Sequence, residues 1–167
     1  MNFYNIKIDY NDIKEPSRLN WTAIRMGISS TYFTDDVAIK HAVSEVTEGA
    51  TDENIISIAC ALSGDDIRPY LNIRPDITLF EVADEIHETD ENDRAKVVCA
   101  ILEGLYSQKE KFSNLTEVVN MIVADFYYPL ETTYVLNYGD VDVDRNKIPE
   151  ILKKWHDYLE KFEWGVK

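Results

Sequence analysis

Asp90-Glu91-Asn92-Asp93-Arg94-Ala95-Lys96-Val97-Val98-Cys99-Ala100-Ile101-Leu102-Glu103-Gly104-Leu105-Tyr106 reads as a long amphipathic helix and sets the class of the fold. Ala95, Val98, Cys99, Leu102, Leu105 and Tyr106 recur at three- and four-residue intervals, which puts them on one helical face. Asp90 is a natural N-cap, because a short carboxylate accepts from the backbone N–H groups that a helix start leaves open. Glu91 and Asp93 follow in the first turn, where negative charge meets the positive end of the helix dipole.

The same punctuation extends in both directions. Upstream, residues 77–88 carry Leu79, Val82, Ala83 and Ile86 as an apolar stripe. Thr51-Asp52-Glu53 opens a helix with Ile55, Ile56, Ile58, Ala59 and Leu62 inside and Gly64 at its end. Thr34-Asp35-Asp36 opens another, with Val37, Ile39, Ala42, Val43 and Val46 apolar and Gly49 as the stop. Asn20 caps a short helix through Met26 that ends at Gly27. Asp65–Leu71 suits a further short helix, with Pro69 accommodated either in its first turn or in a turn outside it. Downstream, Ser113 opens a helix that buries Leu115, Val118, Val119, Ile122 and Val123 and stops before Pro129. A last helix runs from about Lys147 to Phe162, with Pro149 in its first turn and Ile151, Leu152, Trp155, Tyr158, Leu159 and Phe162 on its apolar face.

Two segments stay open. Phe3, Ile6, Ile8 and Tyr10 suit either a short strand or a docked helical turn. Residues 134–144 suit either a hairpin or an ordered loop, since Tyr134-Val135-Leu136 and Val141-Asp142-Val143 flank Asn137-Tyr138-Gly139-Asp140. The expectation is an all-α single domain over residues 1–167, built of packed antiparallel helix pairs, with a short hairpin or loop in the C-terminal third.

The chain has 167 residues, enough to bury a core without disulfides or metal. It carries 31 acidic and 17 basic residues, a formal charge of −14. That charge repels nucleic acid and anionic membrane and draws basic partners at low salt. The plainer reading of the same charge is solubility. Cys60 and Cys99 both fall in apolar helical runs, where a free thiol behaves as a small hydrophobe. No apolar leader and no membrane-length run is visible, so a cytoplasmic protein is expected.

Catalytic signatures are missing from the sequence. There is no G-x-S-x-G, P-loop or G-x-G-x-x-G. His41, His87 and His156 are scattered, without a two-histidine metal spacing. Asp140, Asp142 and Asp144 begin like a calcium loop, but Arg145 stands where glycine is needed and Ile151 where the bidentate glutamate belongs. No catalytic residue, cofactor or metal is therefore expected.

Two features suit a binding surface. Residues 76–93 hold eight acids and no Lys or Arg. These acids interleave with the apolar stripe and face solvent, either as a solvated face or as a docking surface for a basic partner. The second feature is Asp125-Phe126-Tyr127-Tyr128-Pro129, which closes a helix. It suits a helix stop with aromatics packed over the end, or a patch in which tyrosines supply rigid contact area.

Leu19-Asn20-Trp21-x-x-Ile24-x-x-Gly27, Asp36-Val37-Ala38-Ile39-x-x-Ala42 and Ile122-Val123-Ala124-Asp125-Phe126-Tyr127-Tyr128-Pro129-Leu130-Glu131, ending in Tyr138, together resemble the bacterial family of unknown function DUF2247. That family has a Tyr-Ala-Asp-Phe-Asp-Tyr-Pro segment; here Val123 replaces its first Tyr and Tyr127 its central Asp. The resemblance spans residues 19 to 140 or so and brings no catalytic residues. Families of this kind are often encoded beside polymorphic toxins and look like their immunity proteins.

The resemblance and the charge together imply an immunity-type inhibitor that occludes a cognate, basic toxin domain. Asp84, Glu85, Glu88, Glu91 and Asp93 are the candidate contacts, with Asp125, Tyr127 and Tyr128 as a second patch. An acidic face of this kind can occupy a cationic nuclease groove by imitating phosphate spacing. The alternative is a cytosolic helical adaptor or regulator with a partner unrelated to toxins.

Overall fold

The computed structural model describes residues 1–129 and 148–161. Seven α-helices form among them: α1 (Trp21–Ser29), α2 (Asp35–Thr47), α3 (Glu53–Ala59), α4 (Leu79–Glu88), α5 (Glu91–Ser107), α6 (Leu115–Asp125) and α7 (Ile148–Lys161). Short 3-10 turns at Tyr10–Asp12, Pro16–Arg18, Arg68–Leu71 and Lys109–Lys111 link them. The fold is all-α. The 134–144 segment, the three aspartates at 140, 142 and 144, and the Ile151 and Phe162 side chains lie outside the described residues.

Helix α5 is the centre. It packs against α1, α6 and α7 and against the first 3-10 turn. The sequence pattern gives it one apolar face, yet every side chain from Val97 to Leu102 is buried. A helix covered on all sides needs no polar stripe in its middle, and only its ends carry charge. The fourth side is covered by the N-terminal segment. Ile8 crosses α5 at Gly104, where an added Cβ would stand 2.6 Å from Ile8 Cδ1. Ile6, Ile8 and Ile13 are all buried there. The segment makes no strand; it forms one isolated parallel bridge from Ile8 to Phe33 and then turns into Tyr10–Asp12.

The second layer is α2, which packs against both α1 and α3. Helix starts follow the sequence closely. Asn20 accepts from Ala23 N–H at 2.8 Å, Asp52 from Asn54 and Ile55 N–H, and Asp90 from Asn92 N–H at 2.9 Å. The cap of α6 is Asn114 rather than Ser113.

Helix ends differ more. Gly27 does not stop α1, which continues to Ser29. Its missing side chain makes room for the Phe33 ring, which an added Cβ would meet at 2.2 Å. Helix α3 stops at Ala59, so Cys60 is exposed and Leu62 is 74% exposed. Gly64 lies beyond it in a turn at φ +94°. Val43 on α2 and Leu79 at the first position of α4 are also exposed rather than core. Periodicity assigns a face only while the helix lasts and only where a neighbour covers that face.

Candidate protein-binding surface

Helix α4 stands at the edge of the molecule with Val82 and Ile86 turned inward. Its start is a capping box: Glu81 N–H donates to Thr78 Oγ1 at 3.3 Å, and Thr78 N–H donates to Glu81 Oε2 at 2.8 Å. Arg74 reaches the same carboxylate. The Thr78 donors, helped by Arg74, pull the Glu81 carboxyl down to about 2.

The eight candidate contacts divide by what they already hold. Glu85 pairs with Arg25 at 3.0 Å, and Arg25 also donates to the Leu71 and Asn72 carbonyls. That pair fastens α4 to α1. Asp93 is only 19% exposed and accepts from Asn20 Nδ2 at 2.7 Å and Lys96 Nζ at 3.3 Å. Asp125 is 15% exposed and accepts from the Tyr32 hydroxyl at 2.6 Å and from the Met1 amino group. Glu91 lies in the first turn of α5 and is partly buried. Glu85, Asp93 and Asp125 thus join elements of the fold. Asp84 and Glu88 point to solvent, with no ion-pair partner among the described residues.

The two patches inferred from sequence meet. The His87 ring of α4 stands edge-on to the Tyr127 ring, with centroids 4.7 Å apart. Tyr127 and Tyr128 are both exposed, whereas Phe126 between them and α6 is fully buried on Tyr32. The helix stop is a six-residue wrap: Tyr128 N–H donates to the Val123 carbonyl at 3.0 Å and Tyr127 N–H to the Ala124 carbonyl at 3.0 Å. Such a wrap needs positive φ, ordinarily supplied by glycine. Here Tyr127 has φ +56° and Tyr128 φ +49°. Two bulky residues in that region are costly, and the second precedes proline, which restricts it further.

Phe80 is the residue that sequence reasoning missed. It is 82% exposed. It lies four residues before Asp84 and seven before His87, so all three share one α4 face opposite Val82 and Ile86. The 3.6-residue period carried that signal, because Phe80 falls off the buried stripe.

Two further reactive groups, His41 and Cys99, are buried away from this edge. His41 is buried between α1 and α2, edge-on to Trp21 at 5.0 Å and 3.2 Å from Glu45. Burial holds it below its ordinary range against the pull of Glu45. Burial pushes the Cys99 thiol up, which makes it a poor nucleophile. Among the described residues no group of three His, Cys, Asp or Glu side chains is set to hold a metal ion. No helix among them is long and apolar enough to cross a membrane.

An all-α bundle with an acidic, aromatic edge is the class of molecule that these features define. The chain belongs to the family described as an uncharacterized protein conserved in bacteria, DUF2247, whose model matches residues 10–163. No curated protein and no solved structure matches the chain.

Proposed function

We propose that this protein is an immunity-type inhibitor that binds a basic toxin domain and blocks it by steric occlusion. It works by contact, without a chemical step of its own, in the cytoplasm of the bacterium that makes the toxin. The observation that carries the reading is the exposed edge of α4, where Asp84 and Glu88, which hold no ion-pair partner among the described residues, stand near the Tyr127 and Tyr128 corner. Carboxylates that serve no fold contact are available to meet cations, and a chain charge of −14 speeds the encounter. Exposed tyrosines add rigid contact area at low entropic cost.

The test is co-expression with any toxin domain that the neighbouring reading frames encode. Growth is expected to recover, with a complex that survives size exclusion and weakens as salt rises. Continued growth arrest despite abundant folded chain, or rescue by a protein-independent route, refutes the inhibitor role.

A further inference from the structure

Building on that reading, we infer that the docking surface is centred on Phe80, and that its partner presents an apolar hollow ringed by Lys or Arg. The acids alone suit a phosphate-imitating ladder. The structure removes part of that ladder. Glu81 is taken by Arg74, Glu85 by Arg25, and Asp93 by Asn20 and Lys96. What stays available along the α4 face is an 82% exposed phenyl ring with Asp84 one turn on, Glu88 beside it, and the His87–Tyr127 ring pair. An aromatic anchor rimmed by charge is the anatomy of an interface hot spot, in which the ring fills a pocket and the rim sets orientation and on-rate. A second copy of this chain is a poor occupant, because it would bring the same carboxylates and the same net charge of −14 against them.

Placing a photo-crosslinking phenylalanine analogue at position 80, in the bacterium that makes the chain, tests the surface. The same analogue at Val43, exposed on α2, is the control. One protein with a net basic domain, identified by mass spectrometry, is expected to crosslink at position 80 and not at 43. Its yield should drop when Asp84→Lys and Glu88→Lys are combined. With the purified pair, Phe80→Ala is expected to weaken binding about thirtyfold, mostly through faster dissociation and with an unchanged salt slope. Asp84→Asn with Glu88→Gln should instead slow association and flatten the salt slope. Phe80 makes little contact within the fold, so its removal should leave the circular dichroism and melting curve unaltered.

Absence of a crosslink at 80, the same products at 43, or an acidic partner overturns the surface. A basic partner that is not a toxin upholds the surface and refutes the inhibitor reading. Toxin neutralisation undiminished by Phe80→Ala combined with both charge reversals does the opposite.

Discussion

Tyr127 holds a backbone conformation that glycine would adopt freely, yet it carries a ring that stands edge-on to His87. A non-glycine residue in the left-handed region costs about 1–2 kcal/mol. Strain of that sort persists where a side chain serves a purpose beyond folding. Tyr127→Gly is therefore expected to raise stability by roughly 1 kcal/mol in urea unfolding, while weakening partner binding. A loss of stability would show that the His87 contact outweighs the backbone strain. Asp125 sits two residues earlier with the opposite assignment. It accepts from the fully buried Tyr32, so Tyr32→Phe should cost about 1–3 kcal/mol by leaving the carboxylate short of a donor. Both residues stand in the same short sequence motif, and only their neighbours separate a surface role from an internal one. Those neighbours are distant in sequence, which is why Asp93, Glu85 and Asp125 all stand as candidate contacts until Asn20, Arg25 and Tyr32 are placed against them.

At the level of elements, the helices were legible because their caps and periods agree. Asn20, Asp52 and Asp90 each bond the backbone groups their position implies. Glycine was the misleading letter. At the end of a helical pattern it reads as a stop, which Gly49 bears out just after α2, but Gly27 lies inside α1 and admits Phe33, much as Gly104 within α5 admits Ile8. An exposed helical glycine gains about 1 kcal/mol on conversion to alanine. Here the sign should reverse. Gly27→Ala and Gly104→Ala are each expected to destabilise by about 1–3 kcal/mol through overpacking, measured by thermal or urea unfolding. A stabilised Gly104→Ala variant would mean that Ile8 moves aside without cost. The all-round burial of α5 was hidden for a related reason. Val97, Ala100 and Ile101 are as apolar as their neighbours, but only a third and a fourth covering element make use of them.

For the molecule as a whole, charge and proton uptake set the response to solution conditions. A net charge of −14 repels itself within the fold, so raising salt from low to physiological ionic strength should increase the melting temperature. His41 adds a pH dependence. Its folded value lies below the ordinary 6.5, because burial disfavours the charged ring. Above about pH 7 the ring is neutral in both folded and unfolded chains. As pH falls through the ordinary value the unfolded chain takes up a proton that the folded one resists, so stability is lost in the acid direction. His41→Phe keeps a ring against Trp21 but cannot titrate. Urea unfolding between about pH 7.5 and 5.5 should therefore show a smaller loss in the variant than in the native chain. Equal losses would assign the acid sensitivity elsewhere. Glu103 works in the other sense, since burial raises its carboxyl, and the comparison of the two chains cancels it. The candidate surface was half legible at this scale. The acidic run and the tyrosine corner were visible, but their meeting through His87 and the exposure of Phe80 belong to tertiary placement.

The path of residues 6–13 across Gly104 has a consequence for biogenesis. Their isoleucines leave the ribosome long before the helix that shelters them exists. Contacts so far apart along a chain close late and slow the approach to the native state. Until then the segment is exposed grease, and chaperone dependence should be greatest in that interval. The earliest-made part of this bundle is thus among the last to find its seat.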